Sequence, residues 1–343
     1  MLMKGVAALA PGVAAYVDDI PAPEPDEYGC LVRNVYCGYC NTTDTRIIDG
    51  EDAGDLENMP FPKVIGHEGV GIVEKVGKKV RYIKPGDRFL RPYTSLKYGR
   101  YGGNSGNMCE YNLGADRRAM AEDGVPKENI PTNGRFIPLP DDVNDLDSAV
   151  LVPLVECVSA VHNFGLNGRM KVLVVGAGPM GLGVASFLRV IGGDVTVVDR
   201  VKWRLEYARD RFGMQTVLTD GPIDAYFKKG EFDAAIDLAG FTHILSECAF
   251  LIKQGGKLCS MGTLTKSDRT LDISRLQNHT TLHMLNYPYN KMVYFPRLIS
   301  LIREGKMRPS DYYSDVMPAS QIEKCVAVNR AQETVKVVLE VGR

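Results

Sequence analysis

The stretch Lys171-Val-Leu-Val-Val175, followed by Gly176-Ala-Gly178-Pro179-Met180-Gly181 and then by LGVASFLRV, constrains this chain more than any other feature. A short apolar, β-branched run reads as a strand buried on both faces, and the apolar segment after the glycines reads as a helix. A GxGxxG string alone is weak evidence. A strand directly before it and a helix directly after it make it the turn of a dinucleotide-binding crossover. Gly176 permits the tight turn, Gly178 lets the backbone approach a pyrophosphate, and Gly181 permits close helix–strand contact. Pro179 and Met180 open the helix whose N-terminal amides face the phosphates. Asp199 ends the next strand, DVTVVDR. A carboxylate there accepts hydrogen bonds from the adenosine ribose hydroxyls and repels a 2′-phosphate. NAD is therefore expected over NADP, with the neighbouring Arg200 softening that preference.

The alternation continues on both sides. VECVSAVHNFGL reads as a helix before the first strand; WRLEYARDRFG (helix), FDAAIDLAG (strand), HILSECAFLIKQGG (helix) and KLCSMGT (strand) follow. Such alternation predicts a doubly wound parallel sheet over residues 153–290. Residues 1–152 have a different texture, with short strands punctuated by Gly, Pro and Asp and a polar, Gly-rich stretch between about 95 and 135 that reads as functional or mobile loops. FPRLISLIREGKM and ASQIEKCVAVNR read as helices and ETVKVVLEV as a closing strand. At 343 residues the chain has room for two domains.

Composition narrows the partners. The formal net charge of −1 and scattered Lys and Arg give no reason to expect nucleic acid or an anionic membrane, so small molecules are the expected partners. No apolar run reaches membrane-spanning length. The N-terminal MLMKGVAALAPG is broken by Pro11 and Gly12 and reads as an opening strand and turn, not a signal peptide. Eight cysteines are too sparse for a disulfide scaffold, and Cys30, Cys157, Cys248 and Cys259 read as small buried hydrophobes, which suggests a reducing, cytoplasmic setting.

Two further segments carry chemistry: CGYCNTTD at 37–44 and GHEGVGIVEKVG at 66–77. A thiolate, an imidazole and a carboxylate close together, beside a dinucleotide fold, are the ligand types of a catalytic zinc with three protein ligands and one open position. There the metal acts as a Lewis acid on a substrate oxygen.

Gly66-His67-Glu68-x2-Gly71-x5-Gly77-x2-Val80 resembles the zinc signature of the medium-chain dehydrogenase/reductase family. CGYC with TTD resembles that family's first zinc-binding loop, and PGDR at 85–88, GAGPMG and the closing TVKVVLE fit in the same order. The resemblance implies an α/β chain with a GroES-like, β-rich catalytic domain (residues 1–152 and 291–343) and an inserted Rossmann domain (153–290) that binds NAD. It implies Cys40 and His67 as zinc ligands and Glu68 as a carboxylate able to bind the zinc. It implies Thr42 as the hydroxyl that passes the substrate proton towards solvent, with Thr43 its rival, and Cys37 as a packing residue.

The sequence departs from the family pattern twice. The third ligand position holds Val152, which cannot bind metal, so the third ligand is one of Glu68, Glu156 or Cys157. Glu156 is also a candidate acid/base nearer the nicotinamide. The family's four-cysteine structural lobe, counted back from Cys109, here reads Ser95, Tyr98, Tyr101 and Cys109, so one catalytic zinc and no structural zinc are expected. Tyr93, Tyr98, Tyr101 and Asn104 are candidates for lining the substrate cleft. The remaining histidines, His162, His243, His279 and His283, have no ligand-like partners at a recognisable spacing. The expectation is NAD-dependent oxidation of a secondary alcohol (polyol, sugar or cyclitol) in a homodimer or homotetramer, with DRTLDISRLQNHTTLHML as a pairing segment. The alternatives are a metal-free or redox-neutral enzyme using Glu156, and a non-catalytic NAD-binding protein.

Overall fold

The computed structural model describes residues 1–51, 60–92, 98–103, 105–131, 136–262, 270–285 and 291–342. The chain divides into two compact units, Met1–Val152 with Tyr313–Arg343, and Pro153–Tyr312. Residues 291–312, grouped with the catalytic domain from the sequence, lie in the second unit. Among the described residues no helix is long and apolar enough to cross a membrane.

From the N-terminus the first unit contains β1 (Leu2–Ala10), β2 (Val13–Pro21), β3 (Gly29–Gly38), α1 (Thr43–Asp49), β4 (Lys63–Val64), β5 (Glu68–Val76), β6 (Arg88–Leu90), β7 (Tyr111–Ala115), α2 (Arg117–Glu122), β8 (Ile137–Pro138) and α3 (Asp145–Ser148). The opening strand and turn are the β1–β2 hairpin, whose turn is Pro11 and a positive-φ Gly12. Helix α4 (Leu151–Asn163) leads into the second unit: β9 (Lys171–Val175), α5 (Pro179–Val190), β10 (Asp194–Asp199), α6 (Lys202–Phe212), β11 (Gln215–Leu218), β12 (Phe232–Asp237), α7 (Thr242–Leu251), β13 (Ile252–Ser260), β14 (Thr281–Met284) and α8 (Phe295–Arg303). The chain then returns to the first unit with β15 (Asp315–Pro318), α9 (Ile322–Arg330) and β16 (Val337–Glu340).

The second unit is a parallel sheet in the order β11-β10-β9-β12-β13-β14. Its order reverses between β9 and β12, the switch point at which such sheets take their ligand. The fold is α/β, a GroES-like β-rich domain with a Rossmann domain. Leu173, Val175 and Val198 of the sheet pack with Leu245, Cys248 and Ala249 of α7, apolar faces that both elements must bury.

In the first unit β15-β16-β3-β5-β6-β8 form one sheet, with β7 also paired to β3. Within it Gly38 of β3 lies opposite Glu68 on β5 and opposite Val338 on β16, so three segments far apart in sequence meet at one rung. A core of Cys37, Tyr39, Ile47, Ile48, Ile65, Met108, Val337 and Leu339 supports them. The stretch between about 95 and 135 is not loop throughout. It contains β7 and α2, and the latter is capped by Asp116, whose side chain accepts from Ala119 N–H. Tyr98 and Tyr101 pair with each other through their backbones and are buried with Met3, Ala7, Ile20, Val64 and Cys109. Their hydroxyls donate to Asn112 and to Asp19. They are core residues and not cleft-lining ones, because each ring covers apolar surface while its hydroxyl has a local acceptor. Tyr93, Ser95 and Asn104 lie outside the described residues.

Candidate metal centre and cofactor turn

Cys40 lies between the end of β3 and the start of α1, and His67 directly before β5. Glu68 begins β5. One ligand atom from each of Cys40, His67 and Glu68 lies within 4.8 Å of the others, and no other such group of three or more occurs among the described residues. The turn into this segment needs Gly66, whose φ is +94° and where an added Cβ would lie 2.6 Å from Met108 Cγ. Of the three candidates for a third ligand, Glu68 is the one that joins Cys40 and His67. Glu156 and Cys157 lie on α4 in the second unit. There the Glu156 carboxylate makes an ion pair with Lys291 Nζ, and Cys157 Sγ packs on α5, donating to Met180 O at 3.5 Å. Val152 is buried and carries no donor atom for a metal. Cys37 is likewise buried in the core, its thiol donating to Gly38 O, and burial pushes its pKa well up.

Two residues that the sequence reading left without a role complete the centre. Asp44, fully buried, accepts from Cys40 N–H (2.9 Å, Oδ2) and Gly66 N–H (3.2 Å, Oδ1), and its Oδ1 lies 3.4 Å from His67 Nδ1. A carboxylate on Nδ1 turns Nε2 towards the metal, the usual arrangement behind a ligating histidine. Burial lowers the His67 pKa, but Asp44 and then Cys40 outweigh it and hold the value well above the ordinary one. Asp44 carries a sequence signal of its own, as the last residue of the CGYCNTTD segment that contains Cys40. Lys336, also buried, places Nζ 3.0 Å from Tyr39 O, to which it donates, and 2.5 Å from Glu68 Oε2. Burial lowers its pKa, and the Glu68 carboxylate with the Cys40 thiol more than restores it. Its only sequence signal was its place in TVKVVLE. Thr42 is exposed at the start of α1 and its side chain makes no cap hydrogen bond, while Thr43 N–H donates to Cys40 Sγ at 3.4 Å.

The residues fit a zinc ion. The donors are one sulfur, one nitrogen and one oxygen. Glu68 Oε2 is a buried carboxylate oxygen in an ion pair, but with no aligned hydrogen bond from any described group. Both histidine and carboxylate have partners behind them.

The dinucleotide turn is built as its residues require. Gly176 has φ +105°, and a Cβ at Gly181 would lie 1.8 Å from Gly176 O, so only glycine fits there. A Cβ at Gly178 would meet nothing within 4 Å, which leaves that backbone open to a phosphate. Pro179 starts α5, where its missing N–H costs no hydrogen bond. Asp199 spans the turn: Oδ2 accepts from Ala177 N–H (2.7 Å) and Oδ1 from Val201 N–H (2.8 Å). Arg200 is exposed beside it. Arg204, not singled out from the sequence, is close enough to Asp199 that the carboxylate raises its guanidinium pKa against the larger lowering by burial.

Comparison with known proteins agrees with this arrangement. Residues 26–136 match the alcohol dehydrogenase GroES-like domain, and residues 179–303 match the zinc-binding dehydrogenase domain. An uncharacterised zinc-type alcohol dehydrogenase-like protein of Escherichia coli K12 is 24% identical over 94% of both chains. An L-threonine 3-dehydrogenase of Idiomarina loihiensis is 29% identical over 76% of this chain and 77% of its own. The crystal structure of a zinc-binding dehydrogenase from Sinorhizobium meliloti, bound to NADP, superposes with a TM-score of 0.79 at 21% identity, covering 99% of each chain. With both domain types matched in order and the fold shared along its whole length, the chain belongs to the medium-chain dehydrogenase/reductase family.

Proposed function

We propose that this protein is an NAD-dependent dehydrogenase that oxidises a secondary alcohol in a hydroxyl-rich small molecule (a polyol, sugar or cyclitol), with one catalytic zinc. The observation that carries the reading is the convergence of Cys40, His67 and Glu68 within 4.8 Å, backed by Asp44 and Lys336. A fold needs none of these five groups together, and burying that many charges is costly unless a metal repays it. When bound, zinc polarises the substrate oxygen as a Lewis acid and the nicotinamide takes up hydride.

The chain's own residues do the rest. Cys40, His67 and Glu68 hold the metal, and Asp44 fixes the imidazole. Thr42, exposed and without a helix-capping bond, accepts the substrate's hydroxyl proton and passes it to solvent. The α5 N-terminus and Gly178 cradle the pyrophosphate, and Pro179 and Met180 start that helix. Asp199, held by two backbone amides, faces the ribose as a fixed negative charge and favours NAD. The relatives named L-threonine 3-dehydrogenase place a β-hydroxy amino acid among the substrates to try.

The test is elemental analysis of wild type and Cys40→Ser, with activity on a panel of polyols, sugars, cyclitols and threonine. About one zinc per subunit, lost in the variant together with NAD-linked oxidation of a panel member, supports the reading. A wild type free of zinc after purification in zinc-replete medium overturns the metal-assisted mechanism and turns attention to Glu156.

A further inference from the structure

Asp237, at the end of β12, is a buried carboxylate that belongs to neither the metal centre nor the dinucleotide turn. Its Oδ1 accepts from two successive amides of the turn that follows, Ala239 N–H and Gly240 N–H, each at 2.9 Å. Its Oδ2 accepts from the Ser260 hydroxyl at 3.0 Å, and Ser260 Oγ in turn accepts from Gly262 N–H at 3.2 Å. Ser260 ends β13, the next strand of the sheet, where it lies opposite Asp237. One side chain therefore holds the exits of two adjacent strands.

The exits also touch. Gly240 has φ +85°, and a Cβ at Gly262 would lie 2.3 Å from Gly240 Cα and 3.0 Å from Asp237 Oδ2, so the two turns meet backbone to backbone. On the other side, a Cβ at Gly176 would lie 3.5 Å from the Leu238 carbonyl carbon, and Leu238 N–H donates to Val175 O at 3.0 Å. The β12 exit is thereby seated against the dinucleotide turn. Burial raises the Asp237 pKa more than its hydrogen bonds and the nearby His243 lower it. An ionised group here is costly, and an apolar residue would end β12 with less penalty. What offsets that cost is the shape the carboxylate gives to two turns.

The order of the sheet says what those turns face. A dinucleotide lies across the carboxyl ends of the strands at the switch point, one mononucleotide on each half of the sheet. On the cofactor reading above, Asp199 on β10 marks the adenosine half. The exits of β12 and β13, across β9, then face the nicotinamide half. We propose that Asp237 is a positioning residue for that half of the cofactor: without touching the dinucleotide, it locks turns 238–240 and 260–262 into one rigid wall. The inference rests on the cofactor reading and deepens it.

The experiment titrates the full-length protein by calorimetry with NAD and, separately, with ADP, which has no nicotinamide half. Asp237→Ala should weaken NAD by about tenfold or more, the effect of leaving buried amides unpaired, and leave ADP within about twofold. Gly262→Ala should reproduce that split by wedging the same turns apart. Gly262 has no positive φ, so the added methyl group tests space alone. Ser260→Ala frees only the β13 exit and should fall between. Asp237→Asn should bind NAD within about threefold of wild type. Its amide oxygen accepts from both β12-exit amides, and its NH2 donates to Ser260 Oγ.

A merely structural Asp237 would lower the melting temperature and either weaken ADP as much as NAD or weaken neither. Both results overturn the proposal. So does an Asp237→Asn protein that binds NAD as poorly as Asp237→Ala, because the effect would then lie in charge and not in shape. If Asp237→Ala does not fold, Gly262→Ala and Ser260→Ala decide, and wild-type NAD affinity in both overturns it. A wild type that binds neither NAD nor ADP overturns the cofactor reading itself, an outcome distinct from all of these.

Discussion

Asp44 ties the two metal-binding segments together at one side chain, accepting from the backbone of both and facing His67 Nδ1. An amide in its place can satisfy one of these donors but turns its own NH2 against another. Asp44→Asn should therefore weaken zinc by about 10–100-fold, measured by chelator competition, while leaving cofactor binding intact. Wild-type zinc affinity in that variant would reduce Asp44 to a backbone clamp. Asp199 poses a parallel question in the other unit. On the proposed reading it is the negative charge that faces the ribose, with positive charge nearby on Arg200 and Arg204. Asp199→Gly should lower the ratio of kcat/KM with NAD to that with NADP by about tenfold or more, by removing repulsion of a 2′-phosphate. An unchanged ratio would place cofactor choice elsewhere.

At the level of elements, what was legible depended on how far apart the interacting residues are in sequence. β9, α5 and β10 could be drawn from the sequence because every signal there is local: an apolar run, three glycines, a terminal aspartate. Cys40 and His67 were legible as motifs for the same reason. Lys336 was not, because its meeting with Glu68 is set by the pairing of β16 with β3 and of β3 with β5. The stretch between about 95 and 135 misled in the opposite sense. Its glycines and polar residues suggested loop, yet Tyr98 and Tyr101 turn inward at positions where the family's structural lobe has cysteines, and Cys109 packs with them. Packing and two phenol hydrogen bonds hold this hairpin. Tyr98→Phe leaves Asn112 Oδ1, a buried acceptor, without its donor, a loss of about 1–3 kcal/mol. At roughly 2–4 °C per kcal/mol for chains of 150–250 residues, the melting temperature should fall measurably. The fall should be the same with and without a chelator. A fall that disappears on chelation would mean that a metal, and not these tyrosines, organises the segment.

At the scale of the whole molecule, the two chemistries reside in different units. Cys40, His67, Glu68, Asp44 and Lys336 belong to Met1–Val152 and Tyr313–Arg343, whereas Gly176, Gly178, Gly181 and Asp199 belong to Pro153–Tyr312. The dinucleotide turn is organised by hydrogen bonds within its own unit, Asp199 accepting from Ala177 and Val201. Dinucleotide binding should therefore survive loss of the metal. The sequence supplies a reporter for this: its one tryptophan, Trp203, is the second residue of α6, four positions after Asp199. Titrating NAD against Trp203 fluorescence should give dissociation constants within about threefold, or ~0.6 kcal/mol, for zinc-loaded wild type, chelated wild type and Cys40→Ser. Oxidation of the substrate should be lost in the last two. Linkage makes the converse equally strict. If removing zinc weakens NAD by a large factor, NAD must strengthen zinc by that same factor, and the two units would be coupled partners in binding rather than separate holders of metal and cofactor.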